Sequence, residues 1–570
     1  MQALHTPALP PAREGFRQAM SWLHTWAGLV LGWLLFAIFL TGTLSFFKDE
    51  FNVWMRPALY GLPASDAATH AATADKAQAT LLRQAPDTTR WIMRLPDARN
   101  PAVHLLWRGS TQRRFENLTL HPQTGEPLAT RDTMGGDFFY RFHFELRTAP
   151  QGRWTLQGRW VVGVATLLMF IALLTGIATH RRIFKDFFTF RPGKGGQRAW
   201  LDAHNLTGVL VLPFYLMITF SGLMIFHTQY LPAAIATLYP GEKQVDTAAY
   251  FADLQGEQPA PRSHTPQPAQ ALPTVALQPL MDAALQHWGS GARVGRLQAQ
   301  RDAQGRVVVD ISQHDSTRLQ HRMPRLRFDG LNGTLLEEAN PAGAGIQTYG
   351  VLVGLHMARF ASPGLRWALL GLGLLGCLMI ATGLVLWSVK RSTRRQAQQQ
   401  RQGTATDMPW GERLVAVLNR AALAGLPLAC AVYLAANRLL PLDLQDRAHT
   451  ELLCFFSAWG LSLLWALWSV ARHPGRANWS ALLGTAGVVW AALPLLNALT
   501  THAHLGTTLR AGDWLWAGMD LSFLATGVLL CALAWRLRSR QAIPNQSAGT
   551  GAAAHTLRPA LASRSAHPQA

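Results

Sequence analysis

The sequence predicts an α-helical integral membrane protein with about eight transmembrane helices, two small α+β domains on its outer side, and an internal duplication. Three observations predict it. Apolar runs of 20 or more residues recur along the chain, long enough to cross about 30 Å of hydrocarbon. Lys and Arg gather in alternate loops between those runs, which is the positive-inside bias. The first and third runs share one spacing of histidine, glycine and hydroxyl residues. Composition agrees: 49% of the 570 residues are hydrophobic and 15% charged, where a soluble protein carries about a quarter charged.

Residues 1–20 read as a cytoplasmic N-terminus and 21–47 as the first span. That run is too long for a signal-peptide core and lacks a small-residue cleavage site, so it reads as an uncleaved signal anchor. The segment 48–156 has nearly balanced charge and strand-like runs such as RWIMRLP and AVHLLWRG. It closes with a hairpin signal over 116–130, where a turn cluster ends in Gly125. A second span follows at 157–179. The loop 180–200 carries six Lys/Arg against one acid, which places it in the cytoplasm.

The third span, 201–227, leads into a second balanced segment, 228–363, with the strand-like GRVVVDISQ and a hairpin signal over 324–338 ending its turn in Gly333. Within it, 254–275 is rich in Pro and Gln and reads as a loop or disordered insertion. The fourth span, 364–388, is followed by a linker, 389–413, with six basic residues against two acids. Four further spans, 414–437, 449–471, 479–500 and 514–536, read as an accessory bundle over 414–536. The tail 537–570 reads as disordered and cytoplasmic, with Arg538, Arg540, Arg558, Arg564 and no acid.

The net charge of +20 follows this loop pattern, and no zinc-finger spacing or base-reading basic helix accompanies it, so nucleic acid is excluded as a partner; membrane lipid is the expected surrounding. The four cysteines, Cys377, Cys430, Cys454 and Cys531, all lie in apolar runs, which leaves no disulfide framework or cysteine metal site.

The repeat carries the chemistry. His24 precedes Gly28 by four residues and Gly42 by 18; His204 stands in the same relation to Gly208 and Gly222. Arg159-Trp160 precedes Thr175-Gly176 as Arg366-Trp367 precedes Thr382-Gly383, with His143 and His356 upstream. A two-fold arrangement of such halves brings His24 towards His204 at the inner face and His143 towards His356 at the outer face. Two neutral imidazoles on facing helices suit the axial positions of a haem iron, and bundle cores hold such cofactors. Two haems, one near each face, make an electron path that a single one cannot span. The glycines either seat a flat macrocycle or simply let helices pack closely. His180, at the inner end of the second span, is a rival inner ligand, although its repeat equivalent is Trp387. His227 has Phe47 as counterpart and reads as a non-ligand; His449, His502 and His504 read as structural.

The stretches LHTWAGLVLGWLLFAIFLTG, THRRIFKDFFTFRPGKGGQRAWLDAHNLTGVLVLPFYLMITFSGL and GLHMARFASPGLRWALLGLGLLGCLMIATGLVLWSVKR resemble the PepSY-associated transmembrane proteins. The resemblance covers about residues 15–395 and is weak in the outer domains. It implies a bacterial inner-membrane protein with PepSY-like periplasmic domains and b-type haem, passing electrons outward to periplasmic ferric chelates such as ferric siderophores in iron uptake. By motif it reaches His24, His143, His180, His204 and His356, five histidines for four positions. Where some relatives place a second histidine after "FH", this chain has Arg147.

No glycine-rich dinucleotide fingerprint is present, so the electron donor is external, either a cytoplasmic reductase or membrane quinol. Arg108, Arg141, Arg147 and Arg359 are candidates to draw an anionic ferric chelate to the outer side. Two other classes fit the duplicated halves: a siderophore or haem transporter component, and a non-catalytic PepSY sensor or regulatory protein. A cytochrome b spectrum separates them from the oxidoreductase.

Overall fold

The computed structural model describes residues 15–542 except 64–68, 111, 113–114, 147–156, 181–195, 241–245, 247–248, 251–252, 254–269, 303, 340–342, 404–406 and 475–477. Arg147, most of the basic loop after the second span, most of the Pro/Gln-rich insertion and the tail beyond 542 lie outside the described residues.

The first predicted span forms two helices, α1 (Phe16–Val30) and α2 (Gly32–Ser45), bent by 64° at Leu31. Short α3 (Lys48–Met55) follows, then α4 (His70–Gln84) and the strands β1 (Thr88–Arg94), β2 (Val103–Gly109) and β3 (Glu116–Leu120). Next come α5 (Asp137–Glu145) and the straight α6 (Gly158–Thr179). The third span is again broken, into α7 (Gly196–Leu210) and α8 (Leu212–Ile225), bent by 67°. Pro213 opens α8; a proline offers no N–H to the preceding turn, so the helix breaks there. No proline marks the matching break at Leu31.

The second outer segment supplies α9 (Leu277–Trp288), β4 (Val294–Arg301), β5 (Val307–Gln313), β6 (Arg325–Asp329), β7 (Leu335–Ala339) and α10 (Ala344–Met357). Then come α11 (Pro363–Gln402), α12 (Trp410–Leu439, with a π-helical turn at Ala421–Gly425), α13 (Arg447–Arg472), α14 (Ser480–Thr500) and α15 (Trp514–Ala542). By length and apolar composition the described residues contain six straight candidate spans, or eight spans when each bent pair counts as one. The protein is a multi-pass helical membrane protein. The expected linker at 389–413 is mostly helix: α11 runs on to Gln402, because 389–402 contains no Gly or Pro, and stops at Gly403 in the left-handed region (φ 68°).

The two outer segments do not form separate units. They make one antiparallel sheet of seven strands, ordered β3-β2-β1-β4-β5-β6-β7, joined where β1 pairs with β4 from Arg90↔Gln300 to Arg94↔Arg296. Either half alone would leave β1 or β4 as an exposed edge, with a row of unpaired N–H and C=O groups; the seam removes both edges. The second hairpin forms as expected, with β6 paired to β7. In the first, β3 returns only as far as an isolated bridge, Leu120↔Pro127.

Period-two alternation gives the sheet two unlike faces. Trp91, Met93, Leu105, Leu297, Ile311 and Leu326 are buried against α4 and α9 through Ala77, Leu81, Leu280 and Met281. The intervening residues Arg94, His104, Arg296, Ser312 and Arg325 face the helical bundle and roof a cavity of about 1420 Å3. The loop after β1 fastens sheet to bundle: Arg99 donates to both carboxylate oxygens of fully buried Glu50 (2.9 and 2.8 Å), which also pairs with buried Arg366. Asp97, two residues earlier, meets His314 at 3.0 Å and so ties the first half of the sheet to the second.

Candidate paired-histidine site

Four histidines lie in two facing pairs. His24 of α1 and His204 of α7 have ring centroids 6.1 Å apart, on the side of the bundle away from the sheet. His143 of α5 and His356 of α10 are also 6.1 Å apart and form part of the cavity floor beneath the sheet. An imidazole–metal bond is about 2 Å, so two rings bound from opposite sides to one ion have centroids roughly 6 Å apart. Both pairs have that spacing.

Each ring is oriented through Nδ1. His24 Nδ1 donates to Ala172 O (2.8 Å), His204 Nδ1 to Met379 O (2.9 Å) and His143 Nδ1 to Ile38 O (2.8 Å). His356 Nδ1 lies 3.0 Å from Ser221 Oγ, whose own proton goes to Met217 O (2.6 Å), so the hydroxyl accepts from the ring. A carbonyl can only accept, so the proton sits on Nδ1 and Nε2 keeps its lone pair. This is how proteins orient histidines that bind metal.

Glycines make room for the rings. A Cβ on Gly176 would stand 3.2 Å from His24, on Gly383 3.0 Å from His204, on Gly42 2.6 Å from His143, and on Gly222 3.1 Å from His356. The repeat marks all four glycines, and from sequence alone helix packing is the favoured reading of such glycines; the structure seats one histidine on each. Thr166 of α6 approaches Gly222, so Gly176 and Thr166 mark the levels of the two pairs. Ten residues of straight helix separate them, about 15 Å. On α11, Gly383 and Gly373, the latter packed on Thr43, repeat that interval. Between the levels lie Phe39 and buried Tyr215, with rings 6.4 Å apart. The donor set, its tautomers and the glycine seats fit haem iron.

His180 lies at the edge of the far pair with Nε2 turned to Asn205 Oδ1 (3.1 Å). His227 donates from Nδ1 to Met224 O and meets the Tyr250 hydroxyl at Nε2 (2.6 Å), in an aromatic cluster apart from the pairs. His504 caps a short helical turn by accepting from Gly506 N, and His502 packs on Tyr60.

The cavity is strongly basic: its lining includes twelve Lys/Arg against five Asp. Arg359 belongs to it and pairs with Asp315 at 2.8 Å. Arg108 does not line it and lies over the Phe115 ring, and Arg141 is an exposed residue of α5 outside the lining. Arg94, Arg296, Arg322 and Arg325 do line it. Sequence reasoning missed them, although the alternation of the strands carries the signal: Arg94, Arg296 and Arg325 occupy the face opposite the apolar one. His104 is pushed down to about 4 by burial, then by Arg56 and Arg94; burial, Arg359 and Arg322 do the same to His321. Both rings are neutral at pH 7, and the arginines carry the positive charge.

The fold and site define a multi-pass helical membrane protein with two facing histidine pairs beneath a basic, sheet-roofed cavity. Residues 21–390 match the PepSY-associated TM region family. The chain belongs to that family. It is also 28% identical over 410 residues to an uncharacterized protein of Pseudomonas aeruginosa, an alignment covering 68% of this chain and 92% of the relative.

Proposed function

We propose that the protein is a haem-b membrane oxidoreductase that passes electrons from the cytoplasmic side to ferric chelates, such as ferric siderophores, in the periplasm of a bacterium taking up iron. The observation that carries this reading is the pair of facing imidazole sets, each locked through Nδ1 and seated on glycine. In it, His24 and His204 hold one haem, His143 and His356 the other, and His180 stays outside the iron. Each haem, when bound, supplies a one-electron carrier. The apolar bundle excludes water from the route, and Phe39 and Tyr215 fill its middle. Equivalent seats, Gly42 with Gly222 and Gly176 with Gly383, support reading the halves as copies of one unit whose PepSY-like parts merged into one sheet.

On the sheet side, Arg94, Arg296, Arg322, Arg325 and Arg359 concentrate an anionic ferric chelate over the nearer pair. One electron converts its Fe(III) to Fe(II), which chelators built for the ferric ion hold less tightly. The electron comes from a cytoplasmic reductase or from quinol, because the chain has no dinucleotide fingerprint. The filled midplane between the pairs disfavours a transport pathway.

The test is purification from membranes grown with haem. The reading expects two b haems per chain, low-spin when oxidised, and oxidation of the reduced protein by an anionic ferric chelate. A colourless protein, or a haem protein whose reduced form is inert to ferric chelates, overturns it.

A further inference from the structure

We propose that the C-terminal helices α12–α15 hold the sheet-side histidine pair in register by gripping α5, with Thr133, Tyr433 and Glu451 as positioning residues for His143. The role of His143 rests on the cofactor reading above. The grip itself rests on contacts.

Helix α5 has nine residues, too short to be stable alone. One side meets α2, where His143 donates to Ile38 O and sits on Gly42. The other side is aromatic and belongs to the C-terminal helices. Phe138 packs on Tyr433 and Phe455, both at 4.8 Å between ring centroids, and Phe142 on Phe455 at 5.8 Å. Phe139, one turn before His143 and on the same side of the helix, packs on Tyr433 at 5.5 Å.

The segment leading into α5 is held by polar contacts. The Thr133 hydroxyl donates to Glu451, and Tyr433 Oη donates to Gly135 O (3.0 Å). Asp132 accepts from Ala448 N (3.1 Å), and its carbonyl accepts from Arg447 (3.2 Å). Glu451 is fully buried and bonded also to Arg447 (2.5 Å) and Asn437 (2.8 Å). A carboxylate in that position requires all its partners, so the Thr133 contact is built in. The turn has no slack: a Cβ on Gly135, at φ 58°, would stand 2.2 Å from Asn52 Oδ1, and on Gly136 2.1 Å from Lys48 O. A displacement at α13 therefore reaches His143 through a tight turn and about two helical turns.

His356 is held differently. Its helix α10 has fourteen residues and packs on the sheet-domain segment 319–321, where His321 N donates to Gly350 O (3.0 Å). The C-terminal helices thus act on one member of the pair. The family match ends at residue 390, before α12 begins at Trp410, so the grip is an addition to the matched region.

The experiment uses the full chain in lipid nanodiscs, as wild type, Thr133→Val, Thr133→Ser and Tyr433→Phe. Hydrogen exchange is read over 137–145 and 344–357, and the low-spin signals of the two haems are recorded. Thr133→Val and Tyr433→Phe should speed exchange over 137–145 by about tenfold and leave 344–357 unchanged. They should also shift the sheet-side haem signal alone, and Thr133→Ser, which keeps the hydroxyl, should restore both. Unchanged exchange over 137–145 in both variants overturns the proposal, as does equal loosening of both histidine helices or a loosened α5 with an unmoved haem signal. A wild-type chain without haem overturns the cofactor reading and the positioning role with it; the exchange result still decides whether the C-terminal helices hold α5.

Discussion

A histidine that binds metal through Nε2 needs its other nitrogen occupied, and the four occupants here are not the same. Three are backbone carbonyls, which no substitution removes; at His356 the Ser221 hydroxyl shares the ring with the Ile218 carbonyl. Ser221→Ala is therefore a point substitution that strips a side-chain acceptor from a ring and leaves only the backbone one. It should weaken retention of the sheet-side haem by about tenfold, the low end for lost orienting partners, with the far haem unaffected; haem-to-protein ratios after washing with apomyoglobin check this. The glycine seats make a separate demand. Gly42→Val should eject the His143 ring, because its Cβ alone would lie 2.6 Å from that imidazole, and the variant should purify with about half the wild-type haem. The histidine pairings were legible in the sequence through equal spacing. The acceptors were not: Ala172, Met379 and Ile38 act through backbone atoms, which leave no residue-type signal.

At the scale of elements, the seam between β1 and β4 joins the sheet, and the contact of Asp97 with His314 pins its bundle-facing end. The hydrogen bond to Asp97 raises the His314 pKa above the usual 6.5, against the opposing effect of burial. Burial alone would raise Asp97, but the bonds from His314 and from the Asn100 and Arg99 amides outweigh it and lower its pKa. The His314 contribution is fully present below pH 6.5 and is lost as pH rises through its raised value; the Asp97 contribution is present above the ordinary carboxylate range and is lost on acidification. His314→Asn should lower the melting temperature of the protein at pH 6 and progressively less from pH 7 to 9. A difference that grows with pH would contradict this. The seven-stranded union was not legible in the sequence, because alternation identifies strands and faces without naming which edge meets which. The break at Leu31 was hidden in a run of continuous hydropathy, whereas the break at Val211 carried one signal, Pro213.

For the whole molecule, the charge pattern predicts kinetics. The cavity's positive charge comes from arginines, with His104 and His321 at about 4 and so neutral from pH 6 to 8. The rate constant for reaction with an anionic ferric chelate should therefore be nearly flat over that pH range. It should fall with ionic strength, and Arg94→Glu combined with Arg296→Glu should lower it by about tenfold at low salt. A cationic chelate should show the opposite salt dependence. The basic lining was readable only in part: Arg359 stood out beside His356, while Arg94, Arg296 and Arg325 acquire meaning once the strands assign them to one face. The proposed electron path requires that four histidines hold two haems in two independent pairs. The most direct measurement is the low-temperature electron paramagnetic resonance spectrum of the oxidised protein and its four single His→Ala variants. Two low-spin signals are expected in the wild type, one lost alike in His143→Ala and His356→Ala, the other lost alike in His24→Ala and His204→Ala. A wild type without low-spin haem, or His180→Ala abolishing a signal that His24→Ala leaves intact, would contradict it.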